Sequence, residues 1–203
     1  MNLKAIILAG GYSTRFGQDK SLFKVNGETL VERAIQALRP HIEEIHLAVR
    51  KEQVNNFTDL VPRSIIILED NLRDIGPGAA LFKAFQVDPL AHWLVLACDF
   101  VYVNHEAIEA LLQEASIHTG YDIVCYQNSE AYSEPLFAIW SPQALAELRD
   151  NIDKTIYGPM ACLKSLKCLN VKLNDERVLF NLNSPVTEKD LIFSMPKTSS
   201  TLA

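Results

Sequence analysis

Two cations on one glycine-rich loop, and acids at the ends of two apolar strands, are the residues of this chain best placed to do chemistry. Gly10-Gly11 follows the apolar run Ala5-Ile6-Ile7-Leu8, and Arg15 and Lys20 follow on the same loop. A glycine-rich turn leaving a buried strand lets backbone N–H groups face an anion closely. Arg15 and Lys20 add fixed positive charge, so the loop suits a nucleoside triphosphate. It is neither of the two commoner phosphate loops. Gly11 and Gly17 are separated by five residues, and Gln18-Asp19 intervenes before Lys20-Ser21, so the P-loop spacing fails. Gly10 and Gly11 are adjacent, so the dinucleotide fingerprint fails as well. The bland alternative is an ordinary strand-to-helix turn with a surface arginine and lysine.

Asp99 closes the apolar run Trp93-Leu94-Val95-Leu96-Ala97-Cys98. A carboxylate there is expensive to bury unless a cation meets it. Mg²⁺ held by one carboxylate and by substrate phosphate oxygens fits that position. Capping of the next helix is the competing role, but Asn104 is better placed for it. Glu69-Asp70 follows a second apolar run, Ser64-Ile65-Ile66-Ile67-Leu68. A carboxylate at Asp70 can accept the paired N1–H and N2–H₂ donors of guanine, or ribose hydroxyls. It can equally be a solvated strand-end acid. Two further segments have a structural and a functional reading each. Gly76-Pro77-Gly78-Ala79-Ala80 is a turn whose small residues would let a base or phosphate lie against the backbone. Asn181-Leu182-Asn183-Ser184-Pro185 either presents amides to a phosphate or turns the chain into a helix.

The elements that must position these residues alternate strand and helix. Strands are expected over 4–8, 45–49, 64–68 and 93–98, and helices over 28–39, 79–87 and 105–116. Thr29 or Asn26 starts the first helix and Pro40 stops it. Continuous apolar strands between helices imply a parallel sheet covered on both faces. Right-handed crossovers then bring the strand carboxyl ends to one edge, where ligands bind. Gly10-Gly11, Glu69-Asp70 and Asp99 all fall on that edge. The second half is less regular, with strands over 121–126, 136–140 and 166–173, Glu134-Pro135 between the first two, and helices over 143–150, 158–164 and 186–193. One domain over 1–194 with a frayed tail over 195–203 is expected.

The 203 residues carry 19 Lys+Arg against 25 Asp+Glu, a net charge of −6, which argues against a nucleic-acid partner. Apolar runs are too short to span a bilayer, and the start lacks a secretory pattern, so no membrane association and a cytoplasmic location are expected. Cys98, Cys125, Cys162 and Cys168 have no C-x-x-C spacing and read as reduced filler. His41, His46, His92, His105 and His118 are scattered and read as structural or exposed.

Leu8-Ala9-Gly10-Gly11-Tyr12-Ser13-Thr14-Arg15-Phe16-Gly17-Gln18-Asp19-Lys20 resembles the signature loop of the molybdenum cofactor guanylyltransferase family, with Gly17-Gln18-Asp19-Lys20 narrowing the match. The similarity extends to Pro185, moderately at Asp70 and Asp99. The resemblance implies a Rossmann-like α/β nucleotidyltransferase, with a mostly parallel central sheet and helices on both faces. It implies GTP and molybdenum-molybdopterin as substrates and Mg²⁺ as cofactor, with transient contact to proteins that deliver or accept the cofactor. Under it, Leu8, Ala9, Gly10, Gly11, Lys20, Asp70 and Asp99 contact GTP. Arg15, Lys20 and Asp99 are catalytic, and Asp99 ligates the metal. The chain departs from the family at Phe16 (usually Met), at Gly78 and Ala80 (Leu and Gly), and at Arg50, where many relatives place Asn in the nucleotide pocket. The residues alone leave open cytidylyl transfer to molybdopterin or to a sugar or polyol phosphate. They also leave open a non-catalytic nucleotide-binding module.

Overall fold

The computed structural model describes residues 1–11, 19–70 and 75–182, with Asp70 described by its backbone alone. In chain order the main elements are β1 (Leu3–Leu8), a hairpin of β2 (Lys24–Val25) and β3 (Glu28–Thr29), and α1 (Leu30–Leu38). There follow β4 (Ile45–Arg50), a helical turn Lys51–Gln53, α2 (Val54–Thr58), β5 (Ile66–Asp70), α3 (Gly78–Val87) and β6 (His92–Ala97). The rest comprises α4 (His105–Ile117), β7 (Ile123–Gln127), β8 (Ser133–Trp140), α5 (Pro142–Asp153), α6 (Met160–Ser165) and β9 (Cys168–Lys172). Seven strands form one sheet in the order β5-β4-β1-β6-β8-β7-β9. Only β8 runs against its neighbours β6 and β7; the other pairings are parallel. This is the mostly parallel α/β architecture expected.

The pleat sorts alternate strand residues to two cores. Ala5 and Ile7 of β1 and Leu94 and Leu96 of β6 pack with Val31, Ile35 and Leu38 of α1 and Ile108 and Leu111 of α4. On the other face, Ile6, Trp93, Val95 and Trp140 pack with Leu81 and Ala84 of α3, Leu145 and Leu148 of α5, and Cys162 of α6. Strands buried on both faces need apolar residues at every position, which is why their runs are continuous.

Several elements differ from expectation, and β5 (Ile66–Asp70) includes Glu69 and Asp70 rather than ending at Leu68. Helix α1 begins at Leu30 because Glu28–Thr29 pairs with Lys24–Val25. Asn26 and Gly27, at φ 55° and 82°, make the tight turn between them, a use Asn-Gly suits well. Thr29 then caps α1 in a reciprocal box: its Oγ1 accepts from Glu32 N at 3.2 Å, and Glu32 Oε2 accepts from Thr29 N at 2.8 Å. Strand β8 includes Glu134-Pro135 rather than starting after them. The register with β7 shifts between Cys125 and Tyr126, which gives a proline without an N–H a place in the ladder. The short α2 between β4 and β5 was not expected. The helix expected over 186–193 and the tail over 195–203 lie outside the described residues. Among the described residues no helix is long and apolar enough to cross a membrane.

Candidate active site

The strand registers bring the predicted residues into one row. Arg50 pairs with Asp70. Beyond the last pairs of β1, Leu8 with Ala48 and with Ala97, the same registers set Gly10 level with Arg50 on one side and Asp99 on the other. Backbone bonds carry the ladder into this region: Ala9 N donates to Ala48 O at 2.9 Å and Cys98 N donates to Leu8 O at 3.1 Å. Asp70 and Arg50 close β5 and β4, and Gly10 and Asp99 lie two residues beyond β1 and β6, so the four sit at one edge of four adjacent strands spanning about 15 Å. Leu8 and Gly10 are half-buried, Ala9 is buried and Gly11 is exposed.

Asp19 places Lys20. Its Oδ1 accepts from Ser21 N at 3.1 Å and caps the turn Lys20–Leu22, while its Oδ2 accepts from Gln53 Nε2. Lys20 Nζ then meets Asp99 Oδ2 at 2.7 Å, with both side chains one-fifth exposed. The pair ties the turn that follows the β1 loop to the segment just after the adjacent strand β6. The Asp99 backbone is fixed as well, since its carbonyl accepts from Leu182 N at 3.0 Å and Phe100 bridges to Asn181.

Asp99 Oδ1 is buried and has no hydrogen-bond partner among the described residues. A hard cation taking few protein oxygens and several phosphate oxygens suits an atom so placed. No cluster of three or more His, Cys, Asp or Glu side chains able to hold a metal occurs among the described residues. Asn104, as expected, caps α4, accepting from Ala107 N at 2.9 Å, which frees Asp99 from that role.

Glu134 and Gln53 were not singled out from the sequence. Glu134 is a second carboxylate near Asp99. Burial pushes its pKa up, the Leu136 N–H it accepts pulls it down, and the Asp99 charge pushes it up further. Gln53 donates to Ala9 O and to Asp19, and so links the backbone after β1 to the turn that carries Lys20. No local pattern marks Gln53, an ordinary polar residue in sequence that is 2% exposed in the fold. Asn181 also has a buried amide oxygen with no partner among the described residues. Arg15, and the side chain of Asp70, lie outside what is described, as do Asn183, Ser184 and Pro185. The cysteines are all free. Burial lifts Cys125 to about 12 and Cys162 to about 11, and raises Cys98 and Cys168 as well, so it disfavours the thiolate at each.

A family profile described as "MobA-like NTP transferase domain" matches residues 5–168. The chain is 29% identical to a protein of Thermococcus sibiricus named "Probable molybdenum cofactor guanylyltransferase", over 88% of this chain and 92% of that one. It is 28% identical to a "Molybdenum cofactor biosynthesis bifunctional protein" of Synechocystis, over 90% of this chain, and spans about half (52%) of that relative's length. The crystal structure of "Molybdopterin-guanine dinucleotide biosynthesis protein A" from Archaeoglobus fulgidus superposes with a TM-score of 0.77 at 23% identity, covering 95% of this chain and 100% of that one.

Proposed function

Because this chain belongs to the family of MobA-like NTP transferase domains, we propose that it transfers GMP from GTP to molybdenum-molybdopterin, giving the molybdopterin guanine dinucleotide cofactor and pyrophosphate. The observation that carries this reading is the Lys20–Asp99 pair beside the Ala9–Gly11 backbone. It sets a cation and an oxygen suited to a metal at the edge where α/β sheets bind ligands.

In the transfer, a terminal phosphate oxygen of the pterin attacks the α-phosphorus of GTP. The bond from that phosphorus to the α,β-bridging oxygen breaks, and pyrophosphate leaves with the electron pair. Such a reaction asks mainly for positioning and charge stabilisation. The backbone of Leu8, Ala9, Gly10 and Gly11 lies along the nucleotide, and Asp70 accepts from guanine or ribose. Arg15 and Lys20 neutralise the departing pyrophosphate, with Lys20 Nζ exchanging Asp99 for phosphate oxygens. One such charge pair about 4 Å apart is worth roughly 4 kcal/mol at an effective dielectric near 20. Nucleotidyltransferases of this family generally use a divalent metal. Asp99 would hold it, as Mg²⁺, and the ion supplies neutralising charge to phosphate oxygens when bound. Transient contact with proteins that deliver and accept the cofactor, and a cytoplasmic site of action, belong to the same proposal.

Titration calorimetry with GTP, CTP and ATP, each with and without Mg²⁺, tests the nucleotide. Pyrophosphate release with molybdenum-molybdopterin tests the acceptor. We expect preference for GTP and release that needs both substrates. Preference for CTP would replace guanylyl by cytidylyl transfer. Binding with no release would leave a nucleotide-binding module.

A further inference from the structure

The three carbonyls that follow β1 are all held from one side. Gln53 Nε2 donates to Ala9 O at 3.2 Å. One guanidinium nitrogen of Arg50 donates to Gly10 O and to Gly11 O, each at 2.6 Å. Both side chains come from one turn at the end of β4, and the turn locks itself, since Gln53 Oε1 accepts from Arg50 N at 2.9 Å. A methyl at Gly10 would stand 3.6 Å from Arg50 N, so the two backbones already lie in contact.

The orientation of the loop follows from peptide geometry. In a trans peptide the C=O and the next N–H point in opposite directions, and no cis peptide occurs among the described residues. Drawing Ala9 O and Gly10 O toward Gln53 and Arg50 therefore aims the N–H groups of Gly10 and Gly11 away from them. The Arg50 charge lies behind those peptides and reinforces their dipoles toward an anion on the far side. Short charge-assisted bonds are the strong ones, so this hold resists the loop's glycine freedom.

We propose that Arg50, with Gln53, is a positioning residue for the nucleotide: it fixes the Ala9–Gly11 backbone so that the Gly10 and Gly11 N–H groups face the phosphates. The inference rests on a nucleoside triphosphate binding at this loop, and concerns its phosphates rather than its base.

Arg50→Met keeps the stem and removes the donors; Arg50→Lys restores one charged donor within reach. The variants are compared with the unmodified protein by calorimetry with GTP, pyrophosphate and guanosine, by kcat and KM for GTP, and by thermal unfolding. Arg50→Met should weaken GTP and pyrophosphate binding and raise KM roughly 10- to 100-fold, the loss expected for such charged hydrogen bonds. Guanosine affinity and kcat should change little, and Arg50→Lys should recover most of the loss. Unchanged GTP affinity in Arg50→Met would overturn the proposal. So would an equal loss for guanosine, or a loss in step with unfolding that lysine does not rescue. If the unmodified protein prefers CTP, the guanylyl reading fails while the same comparison, made with CTP, still decides the role of Arg50.

Discussion

At the scale of the residue, Asp99 divides its two oxygens between two tasks. Oδ2 takes the Lys20 ammonium at 2.7 Å, while Oδ1 is buried with no hydrogen-bond partner among the described residues. An unsatisfied buried carboxylate oxygen costs free energy and is explained best by something that binds it. Asp99→Asn keeps the shape and removes the charge. We expect it to lower Mg²⁺-dependent transfer by about 10²–10³-fold or more, and to abolish Mn²⁺ binding followed by electron paramagnetic resonance, while circular dichroism stays native. Retained Mn²⁺ binding would return Asp99 to a purely structural role as the partner of Lys20.

At the scale of the element, the turns decide the site more than the strands do. Turn 50–53 holds the glycine loop, and Asp19 caps the turn that carries Lys20. Gly78 shows the same dependence. A Cβ built there would collide with the backbone carbonyl of Tyr157, in the segment between α5 and α6. Glycine near a helix start is ordinarily worse than alanine by about 1 kcal/mol. Here the sign should invert, because backbone cannot swing aside as a side chain can, and overpacking costs about 1–3 kcal/mol. Gly78→Ala is therefore expected to lower the urea midpoint, and an unchanged or raised midpoint would contradict that packing.

At the scale of the whole molecule, the sheet's far edge carries a charge cluster that makes stability depend on pH. Lys4 Nζ bridges Glu44 at 2.9 Å and Asp88 at 3.1 Å, and His46 Nε2 meets the same Glu44 oxygen at 2.7 Å. His46 is 2% exposed, with the Trp93 ring edge-on at 5.0 Å. The Lys4 hydrogen bond holds the Glu44 and Asp88 carboxyls below their usual range. Burial, opposed in part by Glu44, holds His46 below 6.5. In each case the unfolded chain binds the proton more readily, so all three contributions are present at neutral pH. The His46 part is lost as pH falls below about 6.5, and the carboxylate part at lower pH, through the depressed carboxyl values. Urea unfolding should show a lower midpoint at pH 5 than at pH 7.5. His46→Gln should flatten that slope, and an unaltered slope would remove His46 from the account.

The apolar runs by themselves determined the layered sheet, since only strands buried on both faces can be continuous, and the strand ends determined where Gly10, Asp70 and Asp99 would fall. The Asn104 and Thr29 caps were legible too, because a cap is a contact three residues long. Asn26-Gly27 is equally local, but the helical pattern beyond it reads back to Glu28 and hides the hairpin. Contacts across many residues were not legible. Nothing in sequence marks Gln53 as the buried amide beneath Ala9, or sets Glu134 near Asp99 once Pro135 had suggested a strand break. Nor does it show Arg50 reaching the Gly10 and Gly11 carbonyls. Those contacts form only when parallel strands lie side by side at one register. The sequence therefore determined the main strands and helices and the edge, and the tertiary structure decided the β2–β3 hairpin, α2 and which side chains hold the loop there.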